Sequence, residues 1–170
     1  MSHNIQCIIG PKGAIVEIVS NWRQHKLDLN AEFSLIPLTH DFICDVNELV
    51  NKGEQPVYKE FWLLSSSLHA FLKGNSYSEP IGYIETDYKG EEGTQSAIAY
   101  HKGEVIVGPL KTKTQWDNKE MSFIDFPMDK RAINIILYAL GLEERHDMDG
   151  FENLTLGNYH SNKAILNQKR

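Results

Sequence analysis

IGYIETDYKGEEGTQSAIAYHKGEVIVGP, Ile81 to Pro109, reads as a three-stranded antiparallel meander, and the rest of the chain reads as packing for it. Its second turn fixes a register. Lys102-Gly103 between two β-prone runs supplies the positive φ that a two-residue hairpin loop needs. His101 is then expected opposite Glu104, Tyr100 opposite Val105, Ala99 opposite Ile106 and Ile98 opposite Val107. Ile98, Tyr100, Val105 and Val107 would share an apolar face.

The first turn, Lys89-Gly90-Glu91-Glu92-Gly93, reads as a five-residue loop with Tyr88 opposite Thr94 and Ile84 opposite Ile98. That register gathers Tyr83, Glu85, Asp87, Gln95, Ala97, Ala99 and His101 on the second face. Glu85 and Asp87 would lie about 6 to 7 Å apart at their α-carbons, above small alanines that leave room for a shallow pocket. A wet antiparallel face carries such residues without any chemistry, so a solvated surface stands beside a binding surface and an acid/base or metal site. His101 falls about 13 Å along the sheet from Glu85, too far to complete a metal site without help from a loop.

At 170 residues, 41% hydrophobic and 24% charged, the chain has the size and composition of one globular domain. We expect an α+β fold over residues 1–158, a central, mostly antiparallel sheet with at least three helices covering one side, followed by a flexible tail over 159–170. A net charge of −6 argues against general nucleic-acid binding, which needs clustered Lys and Arg, and permits a basic protein partner. Cys7 and Cys44 lack metal-ligand or redox spacing and read as buried small hydrophobes. No basic leader precedes an apolar run and no 18-residue apolar stretch occurs, so a bacterial-type cytoplasmic protein without a membrane span is expected.

Ile5 to Ile9 reads as a buried strand. Ile15, Ile18, Val19 and Trp22 follow at helical spacing, although their β-branching leaves a strand as the alternative. Glu32 to Leu38 reads as another strand. Thr39 is a credible N-cap for a helix to about Lys52 with Phe42, Val46, Leu49 and Val50 inward. A further helix is expected over Val57 to Lys73, with Phe61, Leu64, Leu68, Phe71 and Leu72 inward, Trp62 packed beside them and His69 hydrogen-bonded at the core's edge. Lys111 to Asp125 reads as a long polar loop in which Trp116 is the best isolated contact residue. A helix starting near Phe126-Pro127 would bury Ile133, Ile136, Leu137 and Leu140 and end at Gly141. The DMDG of Asp147 to Gly150 lacks the further ligands of a calcium loop.

YIETDY, KGEEGTQSA and GEVIVGP together resemble a group of small uncharacterised bacterial proteins with a similar strand, glycine loop, Gln-containing strand and Gly-Pro exit. The resemblance covers Tyr83 to Pro109 and extends to the FWLLSSSL segment before it. It implies no established activity, and some of those proteins look like immunity partners of bacterial toxins. The leading expectation is therefore a stoichiometric immunity- or antitoxin-like binding protein, without cofactor or metal. Its contact set would be Tyr83, Glu85, Asp87, Glu91, Glu92, Gln95 and Trp116, facing a basic, toxin-like partner. A small-ligand binder or an acid/base or metal-assisted enzyme on the same face is the alternative, and a structural or homo-oligomeric module pairing through an exposed sheet edge or the polar face is a third.

Overall fold

A computed structural model describes residues 2–127 and 131–169. In chain order the strands are β1 (Ser2–His3), β2 (Gln6–Pro11), β3 (Leu27–Asp28), β4 (Phe33–Pro37), β5 (Ile81–Lys89), β6 (Glu92–His101), β7 (Glu104–Asp117) and β8 (Ser122–Phe126). The helices are α1 (Lys12–Trp22), α2 (His40–Val50), α3 (Ser66–Gly74), α4 (Ala132–Ala139), α5 (Gly150–Asn153) and α6 (Asn162–Leu166). The strands form one antiparallel sheet in the order β3-β4-β2-β5-β6-β7-β8, with β1 continuing the edge of β5 beyond β2. This is the expected α+β single domain. No helix among the described residues is long and apolar enough to cross a membrane.

Both faces of the sheet are covered, not one. Alternation along each strand divides the apolar residues. Ile8, Ile36, Ile81, Tyr83, Ile98 and Tyr100 meet α1, α2 and α3 in one core. Cys7, Ile9, Leu35, Ile84, Ala97 and Ala99 meet α4 and the C-terminal segment in the other. On that second face the residues are small for a reason. A Cβ on Gly82 would stand 2.7 Å from Ile136 Cδ1 and 3.0 Å from Leu140 Cδ1, so Gly82, Ala97 and Ala99 form the seat of α4. The alanines expected to floor a pocket are instead covered by a helix.

The meander exists, with two corrections. Lys102 and Gly103 both have positive φ, and His101 pairs with Glu104 and Tyr100 with Val105 as the turn chemistry requires. Beyond them β7 bulges, so Ala99 meets Val107 and Ala97 meets Leu110. The first turn is tighter than expected: Lys89 pairs with Glu92 across Gly90-Glu91, Tyr88 with Gly93, and Ile84 with Ala97. That one-residue slip moves all of β6 to the opposite face relative to β5. Gln95 therefore does not share a face with Glu85. Nor does the chain leave the sheet at Gly108-Pro109; the expected loop over Lys111 to Asp125 is the second half of β7, a turn and β8.

The helix expected over Val57 to Lys73 begins only at Ser66, where the Ser65 hydroxyl accepts the Leu68 N–H. Phe61 and Leu64 still reach the core, from an irregular segment. Trp62 is 50% exposed, with Lys111 Nζ 5.3 Å from its ring centroid, and Leu49, expected inward on α2, is 71% exposed. Cys7 is buried but Cys44 is exposed on α2. His69 Nδ1 meets the Tyr100 hydroxyl at 2.9 Å, as its place at the core's edge suggested. Asp149 of the DMDG stretch caps α5, its carboxylate accepting the Glu152 N–H. The expected helix start at Pro127 abuts residues 128–130, which lie outside the described residues; α4 itself begins at Ala132.

The segment expected to be a flexible tail is docked. Ser161 caps α6, Asn162 Oδ1 accepts the Gln6 N–H at 3.0 Å, its Nδ2 donates to the Leu38 carbonyl at 2.8 Å, and Ile165 is buried.

Candidate functional site

The expected contact residues separate into two groups. Tyr83, Glu85 and Gln95 are buried, at 0%, 3% and 4% exposure, whereas Asp87 is half-buried and Glu91, Glu92 and Trp116 are exposed.

Glu85 is a structural anchor. One carboxylate oxygen accepts the Trp62 N–H at 2.7 Å; the other accepts the Leu63 N–H at 2.8 Å and the Tyr83 hydroxyl at 2.8 Å. The irregular segment before α3 is thus pinned to the sheet by a carboxylate that supplies acceptors its own backbone lacks. Burial, reinforced by the Glu85 charge, pushes the Tyr83 phenol well above its ordinary range, so it remains a donor. Among the described residues Asp87, two positions along the same strand, meets only Asn4 Nδ2, at 3.5 Å. The paired-carboxylate arrangement that an acid/base site would need is absent at this position.

On the α4 face the sheet and helix are joined by a closed path of side chains. Ile133 N–H in the first turn of α4 donates to Gln95 Oε1 at 3.0 Å, and Gln95 Nε2 donates to the Tyr88 hydroxyl at 3.1 Å. Tyr88 and Thr114 hydroxyls lie 3.0 Å apart, and Thr114 donates to Asp125 Oδ1 on β8. Because the Thr114 proton goes to a carboxylate, Tyr88 is the donor to Thr114. Arg131 Nε, immediately before α4, donates to Asp125 Oδ2 at 2.8 Å and closes the path. Partial burial alone would raise the Asp125 pKa, but the bonds from Arg131 and Thr114 outweigh it and hold the carboxyl below its usual range; the same pairing raises Arg131. Thr112 Oγ1 accepts the Ala132 N–H at 2.9 Å. The sheet, not a preceding residue, therefore caps α4, whose own N-cap position is Arg131 and makes no side-chain cap.

Beside this path lies a cavity of about 290 Å³, walled by Tyr88, Phe123 and Phe151 and lined further by His3, Glu91 and Arg131. His3 Nε2 lies 3.2 Å from the Leu156 carbonyl and Nδ1 lies 2.8 Å from Thr86 Oγ1. A carbonyl only accepts, so Nε2 carries the proton and Thr86 donates to Nδ1, while accepting the Ile5 N–H. Burial lowers the His3 pKa, outweighing the upward pull of the Leu156 carbonyl, which keeps this imidazole neutral.

Trp116 and Phe123 pair across β7 and β8, with ring centroids 5.1 Å apart, on the face that carries the cavity. Glu92 Oε1 accepts the Trp116 N–H at 3.0 Å and ties the β5–β6 turn to this hairpin. Met121, in the hairpin turn, is 71% exposed and Phe126 is 42% exposed. Sequence reasoning missed His3, Thr114, Phe123, Asp125 and Arg131 as site residues. The signal was available in the strand period once β7 and β8 are seen as strands: Thr112, Thr114 and Trp116 alternate with Lys111, Lys113 and Gln115. Among the described residues no group of three or more His, Cys, Asp or Glu is placed to hold a metal ion. No family model, curated protein or solved structure matches this chain.

Proposed function

We propose that this protein is a stoichiometric protein-binding module whose contact surface is the β7–β8 hairpin and the adjoining β5–β6 turn. The observation that carries the reading is the concentration of Trp116, Met121 and Phe123 at the turn end of one hairpin at the end of the sheet, each at least 40% exposed. Large apolar side chains grouped in water favour a cover, and aromatic anchors beside polar residues are what interface centres use. Glu91 and Glu92 adjoin this surface, and the net charge of −6 favours a basic partner through long-range attraction. An immunity- or antitoxin-like role is the specific form of this reading. Glu85, Tyr83 and Gln95 are committed to packing and do not belong to the contact set.

The test is co-purification from the native host at low and moderate salt. The unaltered protein is compared with Trp116→Ala/Phe123→Ala and with Glu91→Gln/Glu92→Gln, each first shown folded by circular dichroism. Light scattering of the recovered complex should give a fixed ratio with one basic protein. The aromatic variant should lose it at both salts, and the charge variant should fall below the unaltered protein mainly at low salt, where the Glu91 and Glu92 charges are least screened. Equal recovery by the aromatic variant would remove the hairpin from the interface, and a concentration-dependent mass for the protein alone would assign the surface to self-association.

A further inference from the structure

We infer that the cavity beneath the hairpin is a binding site for a free α-amino acid with a large apolar side chain. The proposal goes beyond the protein-binding reading, with which it shares Phe123 and Glu91, and its test uses the protein alone, so that the two fail separately. Three features select the ligand. First, a volume of about 290 Å³ lies at the lower end of small-molecule pockets and suits a single small molecule. Second, Tyr88, Phe123 and Phe151 present aromatic surface for an apolar body. Third, the charged lining residues are one of each sign, Arg131 and Glu91, while both ring nitrogens of His3 are already engaged, by the Thr86 hydroxyl and the Leu156 carbonyl.

A simple anion drawn to Arg131 would also meet Glu91, and a simple cation drawn to Glu91 would meet Arg131. A zwitterion satisfies both. Arg131 is prepared for the carboxylate: Asp125 engages its Nε, and the planar guanidinium carries four further N–H donors on its Nη nitrogens, the geometry that grips a carboxylate through two parallel bonds. Glu91, in the two-residue turn between β5 and β6, is exposed and lines the cavity, so it can meet an ammonium group at the mouth. The ring of hydrogen bonds through Gln95, Tyr88, Thr114 and Asp125 keeps the floor in place before any ligand arrives.

The test is an NMR titration of the intact, isotopically labelled protein with L-phenylalanine, with 3-phenylpropionate, which lacks the ammonium, and with phenethylamine, which lacks the carboxylate. L-Phenylalanine should give saturable shifts at the Thr86, Gln95 and Thr114 amides and bind at least about tenfold more tightly than either analogue, as expected when a charged partner is lost. Glu91→Gln should abolish the preference over 3-phenylpropionate and leave the preference over phenethylamine. Arg131→Gln should do the converse; if it fails to fold, Arg131→Lys, which keeps the charge beside Asp125 but loses the fork, should weaken L-phenylalanine severalfold. The proposal is overturned by any of three results: no saturable shift at about 10 mM amino acid, an analogue binding as well as L-phenylalanine, or a preference over 3-phenylpropionate that survives Glu91→Gln.

Discussion

Glu85 and Asp87 project from the same face of the same strand, yet one end of β5 is sealed and the other is open. Glu85 lies under the segment before α3 and receives three hydrogen bonds, while Asp87 projects beyond that segment with one long contact to Asn4. The contrast runs across the sheet. From Ile81 to Glu85 and from Gln95 to Tyr100 every residue is buried, whereas Glu91, Glu92, Trp116 and Phe123 face water. Identical chemistry thus has opposite consequences according to what crosses above it. A buried carboxylate without donors is among the most costly features a fold can contain, so a carboxylate at the sealed end has to be structural.

Removing the anchor should break the contrast most severely. Glu85→Ala leaves the Trp62 and Leu63 amides and the Tyr83 hydroxyl without their acceptor, and should cost about 3–5 kcal/mol in urea denaturation. Asp87→Asn should stay within about 0.5 kcal/mol of the unaltered protein. A cost for Glu85→Ala no greater than that for Asp87→Asn would mean that the two ends are not different after all.

Next in size is the seat of α4. Gly82→Val places side-chain atoms where Ile136 Cδ1 and Leu140 Cδ1 now lie and should cost about 1–3 kcal/mol. The same change at Gly90, in the open turn, has empty space around its Cβ and is opposed only by the positive φ there. Thermal unfolding of the two variants separates steric crowding from backbone conformation.

At the open end Glu92→Gln weakens a single exposed bond to the Trp116 amide and should cost no more than about 0.5–1 kcal/mol. Amide exchange should nonetheless quicken at Trp116 and leave the Leu63 amide unchanged.

The gentlest effect is pH dependence. Burial lowers the pKa of both His3 and His69, the latter helped by the Lys73 charge and opposed by Glu104. Each imidazole is therefore more readily protonated in the unfolded chain than in the fold. Their contribution to stability is complete above the ordinary histidine pKa of about 6.5 and declines as pH falls below it. Melting temperature measured from pH 7.5 down to 5 should show that decline, and His69→Gln and His3→Gln should each flatten part of it.

How far the sequence discloses this molecule depends on which interactions are local. Thr39 as an N-cap, Gly141 as a helix stop and Lys102-Gly103 as a turn are written within a few residues, and each holds. The β5–β6 register is not so written, because Lys89-Gly90-Glu91-Glu92-Gly93 accommodates either a two-residue or a five-residue loop and the choice depends on which face α4 occupies. The second half of β7 and all of β8 escape notice because their inward residues are Thr112, Thr114 and Asp125, polar side chains whose enclosure becomes favourable only when α4 offers amides and Arg131 offers a guanidinium. The exposed members of the contact set, Glu91, Glu92 and Trp116, were legible as polar or aromatic residues in turns and edges. Glu85 was misread because its partners are backbone amides, which leave no trace in the composition.

The position of β2 carries a consequence for how the chain comes to be folded as it is made. Ile5 bonds to Thr86 across 81 residues and Gln6 to Asn162 across 156. β2, made before every other long strand of this sheet, therefore occupies the interior of the finished sheet, between β4 and β5. Until β5 is synthesised, one side of β2 has no neighbour, and Ile8 and Ile9 must be kept from other chains through that interval. α6 completes the same strand's surroundings only after β5 has joined it, so the packing around β2 is finished late among these elements, not progressively along them.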